Sequence, residues 1–435
     1  MINLDAERAK ATIAWLSADA PAPEARIGAA ALEAGYRFIS GGADATMIDI
    51  VAIDLRGVES SSPLTQSLVA GARRLAPAAG IIIVASADAP RDSRAALRRI
   101  GDLCFVRDDG AAVIGAIRER LRLASLAEEV GDRLKTLVAE GQPVDVSRFV
   151  APSPAAVSVL VAGKPSPLTL SACNAVKSAG IETHCVFTAG QVMRALDHRR
   201  FDGVIIIPAD ENDLLLALAR ALRRHHEHRR LPVTLVSGNE TLLARCAMRD
   251  GFGYVMKDHL DGDLAYRFEL SARRARLACS MRGFLKAPDN ADHGAGAPAG
   301  ARFFAAHAYR SCRRADATEK PLSFVGVSLA ELQDAGAMAE VARTAARLVR
   351  AEDMIAKLSA GKLIVMLRDA RERDAARIAA RLEGVISGTL HRSKPEIARV
   401  MTAAIERAAG DDLETVIARL LKRQQDQSRI AGATT

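Results

Sequence analysis

Aromatic residues are scarce in this 435-residue chain, at 4 % with a single tryptophan, Trp15. A surface built from aromatic platforms on which nucleic-acid bases stack is therefore not expected. The six cysteines (Cys104, Cys173, Cys185, Cys246, Cys279, Cys312) show no CxxC spacing and sit inside apolar segments. They read as buried thiols of a reducing compartment, and support neither a metal site nor a disulfide framework. No apolar run reaches the roughly 20 residues of a membrane-spanning helix. The N-terminus, Met-Ile-Asn-Leu-Asp-Ala-Glu-Arg, lacks the basic-then-apolar pattern of a secretory signal. The expectation is a cytoplasmic protein without membrane insertion.

What is present is enough apolar residue to bury real cores, 49 %, with 26 % charged residues to keep surfaces wet. The length allows about three domains of ordinary size. The net charge of +8 is uneven: about −2 over residues 1–150 and about +5 over each of 151–283 and 284–435. An anionic partner for the C-terminal two thirds and a plain solvated basic surface both fit that distribution.

Residues 1–140 alternate strand-like runs (Thr12–Leu16, Tyr36–Ser40, Ile48–Leu55, Gly80–Ser86, Leu103–Arg107) with stretches of helical apolar spacing, such as Leu64–Leu75 and Ser93–Ile100. Five strands alternating with helices predict a parallel sheet covered on both faces. A long helix from Ala111 to about Ala139 closes the unit. The plan repeats over 150–283, with strands Val157–Val161, Glu182–Phe187, Gly203–Ile207, Val233–Val236 and Gly253–Met256 and a last helix Asp263–Arg282. A Pro/Gly-rich segment over 284–300 reads as a flexible linker. A third unit, 301–435, opens with a helix, Arg302–Arg314, and a strand, Leu322–Leu329.

The first two units resemble response-regulator receiver domains, which are flavodoxin-like α/β folds. That resemblance implies a phosphoacceptor carboxylate at the end of the third strand, aided by Mg²⁺ on an acidic pair after the first. In Val51-Ala-Ile-Asp54, Asp54 takes the acceptor position, and Ser86 matches the family's switch residue. The family lysine is replaced by Arg107, and the acidic pair falls on Ser17-Ala18 with only Asp19 adjacent. Without two carboxylates a Mg²⁺ site at Asp54 is poorly supplied with oxygen ligands. Asp54 thus reads either as a phosphoacceptor or as a vestigial polar residue at a strand end. In the second unit Ile207 stands at the acceptor position and Ala162-Gly163 at the acidic pair, while Ser237 and Lys257 remain in place. That unit reads as an adaptor or dimerisation surface. The run from Arg223 to Arg230 contains three histidines. It offers metal ligands or, as we read it, a solvated helix end whose basic residues suit the helix dipole.

In the third unit, Arg350-Ala-Glu-Asp353 precedes a tight turn, Ser359-Ala-Gly361, flanked by strand-like runs Met354–Leu358 and Leu363–Leu367. RxxD alone is weak: it occurs seven times, starting at Arg99, Arg194, Arg199, Arg313, Arg350, Arg371 and Arg423. Only the copy at Arg350 precedes a hairpin at this distance, and the following helix, Ala370–Ile386, carries Arg381. Together these resemble a GGDEF (diguanylate cyclase) domain with its inhibitory-site RxxD. The resemblance implies cyclic-di-GMP as ligand: Arg350 forking onto the O6/N7 edge of guanine, Asp353 accepting from its opposite edge, and Arg381 neutralising phosphate. An i,i+3 pair of Arg350 and Asp353 on a helix end is the plainer alternative.

The same comparison argues against catalysis, and the expectation is that the chain is not an enzyme. A cyclase holds two metal ions on carboxylates, yet Gly361 or Lys362 stands at the acidic signature position and Ser328 replaces the first-strand aspartate. The stretch from Ser328 to Asp353 is also shorter than the family segment that grips guanine. The receiver–receiver–GGDEF layout resembles the PleD group, and in particular its catalytically inactive cyclic-di-GMP effectors of cell-cycle proteolysis. That implies a homodimer, recruitment to a cell pole, and protein partners in the form of an adaptor, a substrate and the ClpXP protease. Three rivals stay open: a scaffold driven by phosphorylation of Asp54, a residual diguanylate cyclase, and a DNA-binding regulator suggested by the pI of about 9.4. Against the last, no helix-turn-helix unit is recognisable in the final domain.

Overall fold

The computed structural model describes residues 11–17, 25–40, 47–86, 89–106, 111–142, 156–286, 298–329, 335–359, 361–393 and 400–432. The expected linker lies largely outside these residues, as do Ala18, Asp19 and Arg107.

The first domain runs β1 (Ala11–Ser17), α1 (Ala25–Glu33), β2 (Tyr36–Ser40), β3 (Ile50–Asp54), α2 (Pro63–Leu75), β4 (Gly80–Ser86), α3 (Arg91–Arg98), β5 (Asp102–Val106) and α4 (Ala111–Ala139). Its sheet is parallel in the order β2-β1-β3-β4-β5. That 2-1-3-4-5 order is flavodoxin-like. β3 and β4 are apolar almost throughout because helices cover both faces of the sheet.

The second domain repeats the plan with β6 (Ser158–Gly163), α5 (Pro167–Lys177), β7 (Glu182–Val186), α6 (Ala189–His198), β8 (Gly203–Ile207), α7 (Leu214–Leu222), β9 (Val233–Ser237), α8 (Glu240–Asp250), β10 (Gly253–Met256) and α9 (Leu260–Lys286). Its order, β10-β9-β8-β6-β7, is the same topology. α2 and α5 even start alike. Ser62-Pro-Leu-Thr65 and Ser166-Pro-Leu-Thr169 each put proline in the first turn, and each serine accepts from the threonine N–H at 3.1 Å. α9 begins one short turn earlier than expected and kinks at Asp261 and Gly262, where the backbone leaves helical geometry.

The third domain comprises α10 (Ala301–Thr318), β11 (Leu322–Leu329), α11 (Ala335–Leu348), β12 (Met354–Ser359), β13 (Lys362–Arg368), α12 (Glu372–Ser393), β14 (Val400–Glu406) and α13 (Leu413–Gly432). The sheet order β12-β13-β11-β14, with every pairing antiparallel, follows the ferredoxin-like βαββαβ plan. α11 and α12 cover one face, and α10 with α13 the other. β14 and α13 complete the domain in a stretch that carries no recognised motif.

By contacts the chain forms two compact units. One holds both parallel sheets, Ala11–Leu123 with Val150–Cys279, and the other holds the antiparallel domain, Ser280–Thr435, with Ala124–Phe149. The expected boundary at residue 140 therefore falls later than the division within α4. The reason is that the second half of α4 has its own apolar and charged face: Leu137 joins the core of Phe303, Phe304 and Met354.

Candidate functional site

α11 ends at Leu348, and the chain then turns once before β12 enters the sheet. The turn closes on itself. The Asp353 N–H reaches the Arg350 carbonyl at 3.3 Å, and the Asp353 carboxylate accepts the Arg350 backbone N–H at 2.8 Å. Because Asp353 precedes a buried strand, its side chain is drawn inward and is only 7 % exposed. Burial pushes its pKa up to about 7, against the lowering effects of the Arg350 backbone bond and charge. Arg350 itself is exposed.

Arg381, exposed on α12, donates to the carbonyl of Leu348, two residues ahead of Arg350. A cation at the end of α11 also complements that helix dipole. The structure thus brings Arg350 and Arg381 to one exposed corner. The Asp353 carboxylate is turned inward, where it accepts the Arg350 backbone N–H.

Beneath the turn lies a buried ionic network that the sequence did not reveal. Arg133 of α4 donates to the carbonyl of Asp353 at 3.2 Å, to that of Leu285 at 2.7 Å and to Glu129 at 2.6 Å. Glu129, with no exposed surface, also meets His307 at 3.1 Å and pairs with Arg368 of β13. Burial alone would raise the Glu129 pKa, but Arg133, His307 and Arg368 together hold it well below the usual carboxylate range. Asp132 adds contacts to Arg314 and Arg368, each at 3.3 Å. The backbone that shapes the Arg350 corner is therefore bonded directly to a helix continuous in sequence with the first domain.

At the hairpin, Gly361 takes a left-handed φ of 71°, the conformation its lack of a Cβ favours. The strand register sets Ser328 of β11 opposite Lys362 of β13. A hydroxyl and an exposed ammonium thus occupy the strand positions where the resemblance implies metal-binding carboxylates.

In the first domain Asp54 ends β3 opposite Ser17. Its carboxylate is clasped by Arg56, whose Nε reaches one oxygen at 2.9 Å and whose terminal nitrogen reaches the other at 2.6 Å. The Arg56 backbone N–H adds a third bond at 3.1 Å. In the second domain Ile207 is buried at the equivalent strand end and pairs with Gly163. A Cβ on Gly163 would come within 2.9 Å of both the Ile207 Cβ and the Thr169 hydroxyl, so the position is tight enough to favour glycine. The histidine run forms turns after α7, and ligand atoms of His225, Glu227 and His228 lie within 4.8 Å of one another.

No family model and no curated protein matches the chain. Solved structures do match. A Francisella response-regulator receiver domain is 18 % identical, with 27 % of this chain and 98 % of that one covered at a TM-score of 0.24. The active GGEEF domain of a Vibrio cholerae diguanylate cyclase is 13 % identical, covering 29 % and 89 %, at 0.28. The GGDEF domain of DgcB from Caulobacter crescentus, solved in complex with c-di-GMP, is 16 % identical, covering 31 % and 85 %, at 0.25. The likeness is one of fold. No helix among the described residues is long and apolar enough to cross a membrane.

Proposed function

We propose that the chain is a cyclic-di-GMP receptor that synthesises no nucleotide and transmits occupancy of the Arg350 corner to protein partners. The observation that carries this reading is that exposed Arg381 of α12 reaches the Leu348 carbonyl, two residues ahead of exposed Arg350, whose turn is closed by the Asp353 carboxylate. Arg350 has the planar fork that matches the O6/N7 edge of guanine, and Arg381 has the charge that matches a phosphodiester. Asp353 pre-organises the turn, which lowers the entropy lost when ligand binds. Lack of synthesis is supported by Ser328 facing Lys362 at the hairpin, since neither side chain supplies the carboxylates that a two-metal phosphoryl transfer needs.

Signal output follows from Arg133. Its bond to the Asp353 carbonyl makes the position of α4 sensitive to the shape of the turn. A ligand shifts such an equilibrium only by the difference in its affinity for the two arrangements. In this the chain is PopA-like: the resemblance implies an effector of cell-cycle proteolysis that is recruited to a cell pole and delivers a substrate, with its adaptor, to ClpXP.

Calorimetry with cyclic-di-GMP tests the site. Wild type is expected to bind, and Arg350→Ala to lose at least about tenfold in affinity, some 1.4 kcal/mol. Equal binding by both proteins removes Arg350 from the reading. Incubation with GTP and Mg²⁺ is expected to give no cyclic-di-GMP, and turnover would restore the cyclase alternative.

A further inference from the structure

The second domain has lost its acceptor carboxylate, but it carries a pair of sulfurs in unusual proximity. β7 is an edge strand of its sheet, and α5 packs against it. Cys173 on α5 is buried. Cys185 on β7 is half-buried and lines an open cavity of about 500 Å³ with His184, Phe187, Arg194 and Phe201. The two Sγ atoms are 2.7 Å apart, not far beyond the covalent length of about 2.05 Å. Twelve residues separate them in sequence and no CxxC motif announces them, so only the crossing of helix and strand reveals the pair.

We propose that Cys173 and Cys185 are a redox-active dithiol, converted by a peroxide to an intradomain disulfide and restored by a small-molecule thiol. The two sulfurs have different roles. Burial and the neighbouring Cys185 push the Cys173 thiol up to about 12, so it stays protonated. Cys185 opens onto the cavity, where a peroxide can reach its sulfur. In the first step the Cys185 sulfur attacks one oxygen of hydrogen peroxide. The O–O bond breaks, and the departing hydroxide takes up the proton released by Cys185 and leaves as water. The Cys185 sulfenic acid then sits against Cys173. The Cys173 sulfur attacks it, the S–O bond breaks, and the hydroxide leaves with the Cys173 proton as a second water. Two thiols are oxidised and one peroxide is reduced to two waters. The bond fastens an edge strand that has a single strand neighbour, β6, to the helix behind it. A domain with Ile207 at its acceptor position thereby gains an input that needs no phosphoryl group.

The test uses the full chain. Reduced protein is treated with stoichiometric hydrogen peroxide, unfolded, alkylated and mapped by non-reducing peptide mass spectrometry. The expected product joins the Cys173 and Cys185 peptides with loss of two hydrogens, leaves Cys246 and the exposed Cys279 alkylated, and reverts with dithiothreitol. In Cys185→Ser, Cys173 is expected to remain a free thiol under the same treatment. Alkylation of both Cys173 and Cys185 in treated wild type would overturn the proposal. So would over-oxidation of Cys185 to sulfinic acid in place of the bond, or its pairing with Cys279.

Discussion

Asp353 gives up solvent to close a turn, and its ionisation then works against the fold. An unfolded aspartate titrates near 4, roughly, whereas this carboxyl titrates at about 7. The stability that its protonated form contributes is complete below about pH 4 and is lost as pH rises to about 7. Asparagine keeps the acceptor for the Arg350 N–H but cannot ionise. Asp353→Asn is therefore expected to flatten that part of the pH–stability profile, gaining up to about 4 kcal/mol on wild type above pH 7. Urea unfolding at several pH values checks this, and parallel profiles would refute it. Asp54 is the opposite case, a carboxylate already spoken for by the Arg56 fork. Acetyl phosphate with Mg²⁺ is expected to add no phosphoryl group by intact mass, and a labelled Asp54 peptide would revive the phosphorylation reading. Arg350 and Arg381 were singled out in sequence by their places before the hairpin and on the following helix, together with the family resemblance. The inward turn of Asp353 was not, because it follows from which face of β12 meets the core.

At the scale of elements, the parallel strands were readable since burial on both faces leaves near-continuous apolar runs such as Gly203–Ile207. β14 and α13 were not recognised: Val-Met-Thr-Ala-Ala-Ile-Glu leans on alanine, which favours no strand, and α13 is dominated by solvated polar residues. A strand contact in the second sheet can also be tested. Gly163→Ala is expected to cost about 1–3 kcal/mol through its clash with Ile207. In a double-mutant cycle with Ile207→Gly, which removes the contacting Cβ, part of that cost should be recovered, and strict additivity in thermal melts would deny the contact. The network under α4 was hidden because its members are far apart in sequence: Glu129 meets His307 and Arg368 only after folding. Glu129→Ala leaves Arg133 and Arg368 buried without their shared anion and is expected to cost about 3–5 kcal/mol. A loss below about 1 kcal/mol, read by urea unfolding, would show that the network is not closed in solution.

At the scale of the whole molecule, the three sheets fall into two compact units that divide within α4. The helix that closes the first domain by sequence supplies Glu129, Asp132 and Arg133 to the third by contact. Those contacts join residues far apart in sequence, so they were not visible as a linker or motif. The most direct measurement is a crystal structure of the chain with cyclic-di-GMP. The account predicts a guanine edge on the Arg350 guanidinium with phosphate oxygens at Arg381, and the Asp353 turn unchanged beneath them. A dinucleotide bound elsewhere, with Arg350 in solvent and Arg381 still on the Leu348 carbonyl alone, would contradict it.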